Sequence, residues 1–285
     1  MTLISFDLQA DFAMFKKPDV NDGLQLSFNL LHKPALLGIL GAVAGLDGYQ
    51  QKGVFPAYYR AFSNLRVGIE PLEGWHDKGN FVKTVIKYTN TVGYANADGN
   101  LIVTEQTLRR PAYRCYLLID LDEEVQALLH HRIRAGEAEY LPYLGKNECA
   151  AWWDIESVRE YNFEPFVADA DFKVSSIFVR KYPIRSQQAE PYLDLDVGGM
   201  VNVATFAYFE RLPIDFYVGD QLESNSSDLR PSKALEIGKV KPLKFVQYEL
   251  AEFAFTDWTL RKSSVVSDLF YIQPAAGAKQ VVQLF

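Results

Sequence analysis

The chain has 285 residues, with 29 Lys and Arg against 36 Asp and Glu and a formal net charge of −7. That balance leaves no global electrostatic footprint for nucleic acid, so it argues against a free, general RNA or DNA binder and makes any such contact local. Apolar residues at 48% and aromatic residues at 14% are enough for a sizeable globular core, and the aromatics suit strands and flat contact surfaces.

Residues 3–8 set Leu3, Ser5 and Asp7 against Ile4, Phe6 and Leu8, the alternation of a strand with one buried face. Phe12, Ala13 and Phe15 lead into Lys16, Lys17 and Pro18, where that strand should end. Pro34 fits a first helical turn, and residues 35–45 have helical length with apolar side chains on every side, which predicts a buried helix. Gly38, Gly41 or Ala42, and Gly45 recur at helical spacing. Glycine weakens a helix, so a backbone or a ligand should approach that face closely.

Residues 82–88 and 101–106 read as two strands joined across residues 96–100, where Asp98-Gly99 is a strong turn signal. Thr84, Lys87, Thr89, Asn90 and Thr91 are too polar for a strand buried on both faces, so a partly polar, two-stranded arm is expected at about residues 83–106. Residues 113–119 form a further strand candidate. Asp120 or Asp122 can then cap an amphipathic helix through Val125, Leu128, Leu129 and Ile133 that ends near Gly136. The order strand, helix, hairpin, strand, helix fits an α+β fold of ferredoxin-like (RRM-like) type over residues 1–150. After Glu148 short aromatic and β-branched runs at 176–182, 201–209, 245–255 and 270–274 predict a β-rich region over 151–285. Residues 224–228, followed by Pro231, have the composition of a mobile loop.

Cys115 and Cys149 lack CxxC spacing and are too few for a disulfide framework, and with His32, His76, His130 and His131 they make a zinc site improbable. Adjacent His130 and His131 point at least a quarter-turn apart on a helix and cannot both face one substrate. Asp120, Asp122, Glu123 and Glu124 fit a helix first turn better than a cation site. No phosphate-loop, dinucleotide, nucleophile-elbow or HExxH motif occurs, so neither a cofactor nor an ordinary catalytic mechanism is expected. Residues 1–5 carry no basic leader and the apolar run at 35–46 is too short to span a bilayer, which predicts a cytoplasmic protein without a membrane partner. What remains is a set of basic residues close to aromatic ones: Lys16, Lys17, His32, Lys33, Lys83, Lys87, Tyr88, Arg109, Arg110, Tyr113 and Arg114. These types suit a single-stranded RNA path, with cations on phosphates and planes on bases.

Four segments together resemble the fifth CRISPR-associated protein family, within the repeat-associated RNA-binding superfamily. They are Ala10-Asp11-Phe12-Ala13-Met14-Phe15, the Pro34-initiated glycine-rich run from His32 to Gly45, Gln106-Thr107-Leu108-Arg109-Arg110-Pro111-Ala112-Tyr113-Arg114, and Tyr140-Leu141-Pro142-Tyr143-Leu144-Gly145-Lys146-Asn147-Glu148-Cys149. Ala10 stands where that family commonly has glycine. The resemblance covers residues 1 to about 155 and is looser beyond. It implies a ferredoxin-like domain that binds the 5′ handle of a crRNA, with a protruding hairpin thumb on a neighbouring backbone subunit. It also implies a seat beside the large PAM-reading subunit of a type I surveillance complex, so that target DNA is met only indirectly. Type I-B members are the most similar in style. On this reading Lys16, Lys17, His32, Lys33, Lys87, Arg109, Arg110 and Arg114 contact RNA and the chain is not an enzyme. Two alternatives stay open. One is a metal-independent endoribonuclease, as in type I-C members, although no Lys-His pair follows a core strand here. The other is a protein-interaction module unrelated to CRISPR.

Overall fold

The computed structural model describes residues 1–19, 23–50, 54–90, 101–183, 186, 188–194, 206–219, 245–275 and 277–285. It is a mixed, strand-rich α+β fold. The first half carries β1 (Thr2–Ala10), β2 (Phe12–Ala13), β3 (Phe15–Lys16), β4 (Leu24–Gln25), β5 (Ser27–Phe28), α1 (Lys33–Ala44), α2 (Ala57–Phe62), β6 (Arg66–Pro71), β7 (Lys83–Asn90), β8 (Leu101–Arg109), β9 (Ala112–Ile119) and α3 (Glu124–Ala135). The second half is β10 (Ala151–Trp153), β11 (Arg159–Pro165), β12 (Phe178–Lys181), β13 (Ala207–Gly219), β14 (Phe245–Thr256), β15 (Leu269–Pro274) and β16 (Gln280–Gln283). Among the described residues no helix is long and apolar enough to cross a membrane.

The main sheet runs β16-β15-β11-β1-β9-β6, with β10 continuing beside β1. β1 and β9 pair antiparallel from Thr2 opposite Ile119 to Gln9 opposite Ala112. Alternation sends Ile4, Phe6 and Leu8 to one face, where they join Leu36, Leu40 and Val43 of α1 and Leu129 and Ile133 of α3 in the largest core. On the opposite face Leu3, Tyr116, Tyr161, Phe270, Ile272, Val282 and Leu284 form a second core. Val67 and Phe285 exchange both backbone hydrogen bonds, at 3.1 and 3.0 Å, so the end of the chain meets the β6 edge and curls the sheet over this second core. β10, β11, β15 and β16, all beyond residue 150, extend this sheet.

α1 follows from its sequence. Pro34 opens it, the Nδ1 of His32 accepts the Ala35 N–H at 3.3 Å as N-cap, and Gly45 closes it in the left-handed region at φ 74°. α3 corrects a detail, since its N-cap is Glu123 and not Asp120 or Asp122. Asp120 instead folds the approach, accepting the Asp122 N–H at 3.2 Å. β7 and β8 pair as a ribbon from Lys83 opposite Leu108 to Asn90 opposite Leu101, while the expected Asp98-Gly99 turn lies outside the described residues. The expected loop at 224–231 lies outside them too. A second ribbon, β13 with β14, packs against α1 and carries β12 on its edge.

One residue ties these units together. Asn29 donates its N–H to both Glu210 carboxylate oxygens at 3.0 and 3.1 Å and accepts the Tyr113 hydroxyl on its carbonyl at 3.2 Å. Its Nδ2 donates to the Gly79 carbonyl at 2.7 Å, and its Oδ1 accepts from the Phe81 N–H at 3.1 Å and from Lys83 Nζ at 2.7 Å. Burial raises the Glu210 carboxyl above its ordinary range, against the lowering effect of the Asn29 N–H and Lys17. Asn29→Ala would leave the Gly79 carbonyl and the Phe81 N–H without this partner, and the expected loss is about 2–4 kcal/mol. The check is a urea unfolding curve, with a lower midpoint at unchanged slope as the expected result.

Candidate functional site

The segment after β1 changes partners twice in six residues. β2 pairs with the end of β8, Phe12 opposite Arg109, and β3 pairs with β5, Phe15 opposite Phe28. This switch carries Met14, Phe15 and Lys16 across the N-terminal half of α1 and leaves a cleft of about 710 Å³ above the helix. Ala35, Gly38, Ile39 and Ala42 of α1 form its floor. Tyr49 and Tyr58 wall one side, residues 140–146 another, and Phe216 and Tyr248 of the second ribbon a third. Those last two rings are stacked at 5.1 Å and 27°. The volume lies in the range of small-ligand and nucleotide pockets.

Two glycines make the cleft possible. A Cβ on Gly41 would sit 2.4 Å from the Tyr58 Cβ, so the glycine face of α1 admits a tyrosine of α2. The close approach expected from the glycine spacing is therefore made by a side chain. Gly145 has φ +85°, and a Cβ there would lie 2.1 Å from the Met14 carbonyl oxygen. Beside it the Met14 N–H donates to the Leu144 carbonyl at 3.1 Å. Residues 140–146 are thus held directly on the strand switch. Lys146 then reaches from the cleft to the first ribbon, 2.8 Å from Glu105 and 4.8 Å from the centre of the Tyr88 ring, whose hydroxyl donates to Glu105 at 2.9 Å.

The eight residues expected on an RNA path are dispersed. Lys16 is exposed at the cleft, while Lys17 pairs with Glu210 at 3.4 Å beside the Phe28 ring. His32 lines the cleft wall but is 3% exposed and ringed by Phe15, Phe28 and Tyr248. Burial pushes its pKa down to about 3, so it stays neutral and cannot hold phosphate by charge. Lys33 donates to the Phe285 carbonyl at 3.2 Å, and burial lowers its pKa. Arg114 spends its fork on Asp7, with Nε and Nη2 at 2.7 and 2.9 Å, which leaves it bracing the sheet. Lys87 is exposed on β7 opposite Thr104. Arg109 and Arg110 are exposed together in a separate concavity with Trp75. The cleft also uses Tyr58, Tyr143, Lys146, Phe216 and Tyr248, none of which the sequence reading placed in a site. Tyr143 and Lys146 stand in the quoted Tyr-Leu-Gly-Lys segment, whereas the other three carry no local signal.

Gly145→Ala combines a left-handed backbone with a clash on Met14, and a loss of about 2–4 kcal/mol is expected, read as a lower thermal midpoint. His32 also fixes a pH dependence. Its folded pKa is lowered, so below pH 6.5 the unfolded chain takes up a proton that the fold refuses, and stability falls as pH drops toward 3. At about 1.4 kcal/mol per pH unit, the wild type should lose about 2–3 kcal/mol more than His32→Asn between pH 6.5 and 4.5. Urea curves of both proteins at the two pH values check this.

No family model matches the chain, and no curated protein matches it. Among solved structures it is similar to a chain of a CRISPR RNA-guided surveillance complex, 12% identical over 90% of both chains with a TM-score of 0.43. It is similar to a CRISPR protein from Archaeoglobus fulgidus, 13% identical over 99% of both with a TM-score of 0.42. Against a Cas protein the identity is 16% and the TM-score 0.33, over 51% of this chain and 57% of that one, less than two thirds of its length.

Proposed function

We propose that the chain is a non-catalytic subunit of a type I CRISPR surveillance complex, of the I-B kind, that holds the 5′ handle of the crRNA. The observation that carries this reading is convergence. The Ala10–Phe15 segment, the glycine-rich α1 and the Tyr140–Lys146 segment lie far apart in sequence, yet they build the floor and two walls of one aromatic cleft. These are three of the four segments on which the family resemblance rests. Rings suit unpaired bases, and Lys16 offers an exposed cation for phosphate.

The order β11-β1-β9-β6, with α1 between β1 and β6 and α3 between β9 and β11, supports a ferredoxin-like first half. In this reading β7 and β8 form the thumb that engages the backbone subunit. Val85, Ile86, Tyr88 and Ile102 are exposed on it, which suits a surface completed by a partner. The large PAM-reading subunit sits alongside, and target DNA is reached through the assembly.

The test is to purify the native assembly through this chain and sequence its RNA. A uniform short RNA with one repeat-derived 5′ end is the expected result, and Lys16→Glu should reduce its retention. Absence of RNA would overturn the proposal. Cleavage of repeat RNA by the isolated chain would replace it with the endoribonuclease reading.

A further inference from the structure

At the base of the first ribbon, away from the cleft, Gly74, Trp75, Val82, Arg109 and Arg110 enclose a concavity of about 280 Å³. Arg109 and Arg110 are both exposed. Among the described residues neither pairs with a carboxylate, whereas Arg66, Arg114, Arg132 and Arg134 each do. Two acidic residues are close in sequence or backbone: Glu73 precedes Gly74, and the Asp11 carbonyl accepts the Arg110 N–H at 2.7 Å. The guanidinium of Arg110 lies over the Trp75 ring at 5.0 Å.

The backbone holds this pair in an unusual pose. Arg110 has φ 48°, in the left-handed region that non-glycine residues rarely occupy. The Asp11 carbonyl on one side and the Arg109 N–H donating to the Val82 carbonyl at 2.8 Å on the other keep it there. Strain of this kind persists where surrounding contacts over-determine it, and it gathers at ligand clamps. Gly74 faces open space, with nothing within 4 Å of where a Cβ would stand, so a flat group can slide in beside the indole. Val82, 61% exposed, supplies an apolar rim. The parts are a cation over a ring, a second fork without a carboxylate partner among the described residues, an open side at Gly74 and room for one base.

We propose that Trp75, Arg109 and Arg110 form a second RNA site, separate from the cleft, that takes one unpaired nucleotide. The base adds to the Arg110–Trp75 stack and the phosphate pairs with the Arg109 fork. The inference rests on the RNA-binding reading above for the class of its ligand, and it requires no particular sequence, because every base has a π-face.

The experiment titrates labelled octauridylate and octaadenylate against the full chain at several salt concentrations. Trp75→Ala should weaken both by fivefold or more while leaving the slope of log K against log salt unchanged. Arg109→Ala should weaken both and flatten the slope by about 0.7, the share of one phosphate on a single strand. Arg110→Lys should behave like Trp75→Ala, because lysine keeps the charge and loses the plane. Should these variants unfold, a 4-thiouridine oligonucleotide cross-linked to the wild type must label the peptide that contains Trp75. Unchanged affinity and slope in folded variants, or no label on that peptide, would overturn the site. An octaglutamate peptide that displaces the RNA at equal concentration would overturn it in favour of an acidic protein partner. If the native assembly still holds its repeat-derived RNA in any of these cases, the handle reading stands and only the second site falls.

Discussion

The structure depends on a buried polar knot at Asn29 more than on any single apolar contact. Five partners from four stretches of chain meet there through six hydrogen bonds: Glu210 from the second ribbon, Gly79 and Phe81 from the approach to β7, Lys83 from β7, and Tyr113 from β9. A buried amide left unpaired is expensive, so each element must arrive in register or the others lose their partners. That condition fixes the first ribbon, the second ribbon and the main sheet relative to one another. The cleft above α1 takes Glu105 from the first ribbon and Phe216 and Tyr248 from the second, so its shape inherits their alignment.

The covering of the sheet explains where a ligand can go. A two-layer fold with helices on one face leaves the other sheet face free, and in RRM domains that free face is where bases stack. Here Tyr116 and Tyr161 occupy it under Phe270, Ile272, Val282 and Leu284, and the polar pairs there are satisfied internally: Ser5 with Tyr161, Tyr116 with Glu70 and Arg114 with Asp7. Rings and cations remain in contact with solvent on the helix side and at the base of the first ribbon. The exposed Lys16 and the exposed Arg109–Arg110 pair lie in two separate places, the cleft and the concavity at Trp75.

Much of the central framework was legible in the chain itself. Alternation from Leu3 to Leu8 announces β1, Pro34 and Gly45 bracket α1, and the β7–β8 pairing follows from two β-branched runs. β6 was not legible, because Gly68 and Pro71 break its pattern. Gly68 is there because a Cβ would lie 2.8 Å from the Gln283 carbonyl, a reason that exists only once the chain end has returned. β11 was missed because its alternation is short: only Tyr161 and Phe163 turn inward, between exposed Glu160, Asn162 and Glu164. The cleft was half visible. Segments in sequence motifs could be read, whereas Tyr58, Phe216 and Tyr248 are joined to them only by tertiary packing. Of the basic residues, Lys17, Lys33 and Arg114 find partners within the fold and His32 is buried and neutral, while Lys16, Lys87, Arg109 and Arg110 stay exposed.

The meeting of Val67 with Phe285 has a consequence for timing. A ribosome delivers β1, β6 and β9 long before β15 and β16, so until those strands follow Leu3, Tyr116 and Leu118 lie on an uncovered apolar sheet surface. Pairing across such a separation in sequence is slow, because the chain entropy lost on closure comes before any contact rewards it. The nascent chain therefore passes through a sticky interval whose length is set by translation of residues 120–285, and a holdase would have its greatest effect during that interval.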